Sequence, residues 1–201
     1  MPRPAPFRRL AADRRGATVV EFALLAAPLL TLLLGTVELG YLAYSRTIVE
    51  GAIKQASRMA STGQYDGEEI EAQIRNQLAR IRATGDDVTI VTRAYGSFED
   101  VHRPEPLTSD VEPLGGTPGS GDCYIDLNGD EQWSEDASQE GLGASEDIIY
   151  FEVQARYQPL FKFIGHVIGG ADERLTLKAN TTIKNEPFGE EREPAEARCI
   201  P

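Results

Sequence analysis

The chain has 201 residues, of which 41% are hydrophobic and 26% charged, with a net charge of -12. That length suffices for one modest domain plus an anchor. Residues 1–16 hold five arginines against one aspartate, so residues 17–201 carry -16, a balance that argues against nucleic-acid binding and against attraction to anionic lipid heads.

The basic leader ends at Gly16, and a long apolar segment follows. Residues 22–37 are sixteen uncharged positions, roughly 24 Å of helix, somewhat short of a hydrocarbon core. Continuing through Leu39, Tyr41, Leu42 and Tyr44 completes a span, with Glu38 near the outer interface and the tyrosines in an aromatic belt. Arginines before the span and acids after it predict a cytoplasmic N-terminus and an exported remainder. Pro28 removes one backbone bond and predicts a kink. Glu21 is the costly residue: a carboxylate close to hydrocarbon is penalised by a few kcal/mol unless it snorkels, is protonated or finds a partner, which marks it as functional.

Three readings of this segment compete. An uncleaved signal anchor explains hydrophobicity and orientation. A secretory signal cut near Ala43 and Ser45 requires an unusually long apolar region interrupted by Glu38. Arg14-Arg15-Gly16-Ala17, with Glu21 five residues past the glycine and Phe22 after it, resembles the class III signal of type IV pilins. That resemblance implies cleavage between Gly16 and Ala17 by a prepilin peptidase, leader recognition through Arg14 and Arg15, and a register role for Glu21 against the freed amine of a neighbouring subunit.

Beyond the span, Ile48, Ala52, Ala56, Met59 and Ala60 recur at helical steps, with Arg46, Glu50, Lys54 and Arg58 on another face. A single helix over 17–62 is predicted, ended by Gly63. A second, amphipathic helix opens at Asp66 with Glu69 at the capping-box position. Ile70, Ile74, Leu78 and Ile81 form its buried stripe, and Gly85 stands at its C-terminal turn.

The period then changes to two. Val88, Ile90, Thr92 and Ala94 form one face of a first strand. Residues 96–121, rich in proline and glycine, read as an irregular loop, followed by a short strand over 123–127. Two clear strands come later, with Ile149, Phe151, Val153, Ala155 and Tyr157 on one buried face and Leu175, Leu177, Ala179, Thr181 and Ile183 on another. Between them, the apolar residues 159–170 are too short to span a bilayer and read as a core-covering loop or short helix, the alternative being an exposed contact surface. The tail over 190–201 is charged and mobile unless Cys199 pins it. Cys123 and Cys199 are the number that makes one disulfide in an oxidising compartment.

In the loop 126–136, Asp126, Asn128 and Asp130 offer oxygens at positions one, three and five, with Gln132, Ser134 and Asp136 as additions, a candidate calcium set. Glu131 where glycine is expected, and Ala137 where the bidentate glutamate belongs, depart from an EF-hand. The competing reading is a solvated turn whose Asx side chains cap the backbone. Two histidines, His102 and His166, without ligand spacing give no zinc site. No nucleophile or phosphate-binding motif supports catalysis.

The N-terminal run with Glu38-Leu39-Gly40, the loop with Trp133 and the closing Asn185-Glu186-Pro187-Phe188 resemble the TadE/TadG family of minor pilins of tight-adherence (Flp) pilus systems. The resemblance implies an α+β protein: a pilin-like first helix, a second helix and a small antiparallel sheet in an exported head over 63–189. It implies a noncatalytic pseudopilin in the bacterial inner membrane with a periplasmic head. Its partners would be the prepilin peptidase, other minor and major pilins and the inner-membrane assembly machinery. A membrane-anchored calcium- or ligand-binding module unrelated to pili is the alternative.

Overall fold

The structure, a computed structural model, describes residues 16–108, 118–168, 173–186, 192 and 194–200. The expected leader determinants Arg14 and Arg15 lie outside the described residues, as do Pro187 and Phe188. The chain divides into two compact units that meet between Ala43 and Tyr44, and each is described by itself.

Helix α1, Ala17–Ser61, runs without a break through Pro28. In its first unit the side chains are turned outward: Phe22 is 72% exposed and Leu25 73%. Thr31 and Thr36 donate their hydroxyls to the carbonyls of Ala27 and Leu32 at 2.9 and 2.8 Å, so neither adds an unpaired polar group to the apolar surface. Glu38 is buried against the protein. It keeps an interaction partner there, as a buried carboxylate requires.

From Tyr44 onward α1 turns a narrow stripe inward: Val49, Ala52, Ile53, Ala56 and Ala60 are buried. Gly63, with φ 63°, ends the helix as anticipated. Helix α2, Gly67–Leu78, opens with the expected capping box, since Asp66 accepts from the Glu69 amide and Glu69 accepts from the Asp66 amide. Ile70, Ile74 and Leu78 are buried. The helix does not close at Gly85. It tightens into a 3-10 turn, Ala79–Ile81, that buries Ile81, and Arg82 takes the left-handed conformation at φ 60°. Gly85 opens the next 3-10 turn, Gly85–Asp87.

Among the described residues six strands follow: β1 Val88–Tyr95, β2 Cys123–Asp126, β3 Gln139–Glu140, β4 Ile148–Tyr157, β5 Leu175–Lys184 and β6 Glu196–Cys199. Four form an antiparallel sheet in the order β3-β1-β4-β5, and β2 with β6 forms a separate two-stranded sheet. Register sets Ile90 opposite Val153 and Val153 opposite Ala179. The even positions of β1 therefore share a face with the odd positions of β4 and β5. That face carries the core: Ile149, Phe151, Val153, Ala155 and Tyr157 are all buried, and Ile70 and Ile74 of α2 border one cavity with Ile90, Thr92 and Phe151. At one end of the opposite face Tyr95, Ile148 and Tyr150 form a smaller cluster with Val101. In β5 the predicted alternation holds, but its core side is only half-buried, because among the described residues β5 is the last strand of the sheet.

A short helix α3, Lys162–Ile168, occupies the apolar segment between β4 and β5. It leaves Phe163 53% exposed and Leu160 47% exposed, so these two side chains do not serve the core. The C-terminal segment is pinned: β6 pairs with β2, and Cys123 stands directly opposite Cys199 in that ladder, the two joined by a disulfide.

Candidate functional site

The N-terminal junction lies at the start of the helix. Gly16 is a turn residue and Ala17 the first helical one, and the Gly16 carbonyl accepts the Val20 amide at 3.2 Å. Among the described residues no side chain crowds Gly16, where a methyl group would meet nothing within 4 Å. The first amides of the helix have no partner within it, and their partial positive charge favours an anion at that end. Glu21 stands one turn further along, exposed, and is the single charged side chain in residues 17–37. Val19, Val20, Phe22, Leu24 and Leu25 around it are all more than half exposed. The helix is long and apolar enough to cross a membrane, with a mean hydropathy of 2.1 over its most apolar stretch.

The second region is the loop 126–136. Its side chains turn back on the loop's own backbone. Asp126 accepts the Gly129 amide on Oδ1 at 2.7 Å and the Glu131 amide on Oδ2 at 3.1 Å, and Arg198 Nε lies 3.1 Å from that same Oδ2. Asn128 Oδ1 accepts the Asp130 amide at 3.0 Å, and Asp130 Oδ1 accepts the Gln132 amide at 2.8 Å. Ser134 donates its hydroxyl to Asp130 Oδ2 at 3.2 Å. These are the Asx caps of a tight turn. The expected sixth donor, Asp136, is carried away from the loop to an ion pair with Arg93 of β1, and Tyr95 Oη donates to it at 3.3 Å. Of the expected calcium set, Asp126, Asn128, Asp130 and Ser134 bond within the loop, and Asp136 is held by Arg93 and Tyr95. Among the described residues no three histidine, cysteine, aspartate or glutamate side chains are placed to hold a metal ion.

The loop's organiser is a residue that sequence reasoning passed over. Glu105 is 2% exposed, and its carboxylate accepts the amides of Leu127 at 2.7 Å, Asn128 at 3.3 Å and Ser134 at 3.0 Å. Its own carbonyl accepts Trp133 Nε1 at 3.0 Å. Burial pushes the Glu105 carboxyl above the ordinary glutamate range, against the three amides, which favour its charged form. The signal was present in Pro104-Glu105-Pro106: two prolines hold the backbone extended around one acid. Burial likewise raises Tyr124, with the negative charges of Asp126 and Glu105 adding to it. An open cleft of about 1150 Å³ borders this loop, with Glu131, Glu140 and Glu196 on its wall beside Arg192 and Arg198.

Residues 16–58 match the family described as TadE-like protein. The matched segment takes in the junction, Glu21 and most of α1, and associates the chain with Tad pili, whose TadE-like proteins are generally structural. No curated protein and no solved structure matches the chain significantly.

Proposed function

We propose that this chain, TadE-like over residues 16–58, is a noncatalytic minor pilin or pseudopilin that assists assembly or initiation of a Tad-type pilus. The observation that carries the reading is an exposed apolar helix that begins at Ala17 and whose residues 17–37 bear a single carboxylate, Glu21, on the second turn. A prepilin peptidase, recognising the leader through Arg14 and Arg15, hydrolyses the peptide bond between Gly16 and Ala17. The new amine of Ala17 then adds a full positive charge to the partial charge of the helix start. Glu21 of an adjacent subunit pairs with that amine, which relieves the cost of a carboxylate near hydrocarbon and fixes the stagger between helices. Phe22 lies beside this contact. The subunit is stored in the bacterial inner membrane with its leader in the cytoplasm. The unit Tyr44–Pro201 is periplasmic and presents the surface met by other pilins and the assembly machinery.

Intact-mass measurement of the membrane-extracted protein tests the reading. A mass that begins at Ala17 supports it, and a mass that retains residues 1–16 in a strain with a working peptidase overturns it. Replacement Glu21→Ala is expected to impair pilus assembly while leaving processing intact.

A further inference from the structure

The outer edge of β5 has features of an interface with a second copy of this chain. Among the described residues β5 is the end of its sheet, and ten of its residues pair with β4 on the other side. The direction of its free groups follows from the register. Ile148 stands opposite Lys184, and the next pair bonds directly, the Asn185 amide donating to the Asp147 carbonyl at 2.8 Å. Bonding alternates along an antiparallel ladder, so the odd-numbered residues of β5 bond to β4. Thr176, Lys178, Asn180, Thr182 and Lys184 direct their amides and carbonyls outward.

Edge strands of this length are usually blunted by lysines. Here the lysines select a register instead. We propose that two copies pair antiparallel along β5 about a two-fold axis through Asn180. Each Asn180 then faces its counterpart, Lys178 faces Thr182 and Thr176 faces Lys184. On the core side Leu177 meets Ile183 and Ala179 meets Thr181, which covers apolar side chains that the isolated chain leaves half-buried. Sliding one copy by two residues brings Arg174 against Lys184 in one direction and Lys178 against Lys184 in the other, like-charge pairs that disfavour both registers. The proposal does not depend on the pilus reading, since it rests on β5 alone.

Cross-linking the full-length chain in detergent micelles tests it. The two native cysteines are already joined to each other, so Asn180→Cys adds the thiol under test. Residues opposed in a bonded antiparallel pair lie about 5.5 Å apart at Cα, within disulfide reach. Mild oxidation is expected to give a covalent dimer with Asn180→Cys and with the pair Lys178→Cys and Thr182→Cys, and none with Thr176→Cys alone. Adding Asn180→Lys to the Lys178→Cys and Thr182→Cys pair sets like charges on the axis from an exposed position and is expected to abolish that dimer. A chain that stays monomeric at position 180 and in the paired variant overturns the proposal, as does a dimer that forms equally well through Thr176→Cys.

Discussion

Arg192 grips Asp147 with two contacts, Nε to Oδ1 at 3.0 Å and Nη2 to Oδ2 at 3.0 Å, while its Nη1 donates to the Leu127 carbonyl at 2.7 Å. One side chain thereby ties the C-terminal segment to the foot of β4 and to the loop after β2. Asp147 is 3% exposed at its side chain, so its charge depends on that partner.

Replacing Arg192 with alanine leaves a buried carboxylate with the Ala144 amide at 2.7 Å as its remaining described donor. Breaking a buried pair from one side costs about 3 to 5 kcal/mol. Arg192→Ala is expected to lower the urea midpoint by a corresponding amount, and Arg192→Lys to recover only part, because an ammonium cannot make the paired contact.

Gly143 sits in the left-handed region at φ 64°, and a Cβ there would lie 2.5 Å from both Ala94 Cβ and Asp147 Oδ2. Gly143→Ala must strain the backbone and displace either β1 or the aspartate that Arg192 holds. A loss of roughly 3 kcal/mol is expected from the two effects together. Gly141→Ala is the control: it shares the positive φ but meets nothing within 4 Å, so thermal unfolding should rank it well above Gly143→Ala.

Glu105 makes the fold sensitive to pH in a defined direction. Its folded value is raised by burial above the ordinary 4.5, so the native state binds this proton more tightly than the unfolded chain. Its contribution to stability is fully present below 4.5 and is lost as pH rises through the raised value. Glu105→Gln removes that slope from the stability profile. It also points an amide N–H at backbone donors, so the variant should be less stable at neutral pH. An unchanged slope in the variant would assign the proton to another group.

The disulfide closes a separation of 76 residues. A loop of that size is worth about 4 kcal/mol in the chain-entropy picture. Cys199→Ser should lower stability by that order, and it should free β6 first, since β6 has exposed side chains at three of its four positions. Protease cleavage confined to residues 194–200 in the variant would report that opening.

What the sequence revealed clearly was local. The capping box of α2 depends on residues three apart, and the core face of β4 on alternation within ten residues, so both were readable without any tertiary knowledge. The half-buried state of β5 was not, because alternation reports which side chains share a face and says nothing about how many strands lie beyond. Arg82 replaced Gly85 as the left-handed stop because burying Ile81 tightens the helix end first, a tertiary demand on a residue with no local signature. In the loop 126–136 the spacing of the oxygens was legible along the chain, and the groups they bond were not. Asp136 is bound by Arg93, 43 residues away, and the amides of Leu127, Asn128 and Ser134 are held by Glu105.

The pairing of β2 with β6 also has a consequence in time. Cys123, Tyr124 and their neighbours emerge from the ribosome long before the residues that complete their ladder. During synthesis this small sheet stays open, its thiol without the correct mate, until the final stretch arrives. A nascent chain halted before Glu196 would therefore carry an unfinished edge, a state that proteases and thiol oxidants can distinguish from the closed one.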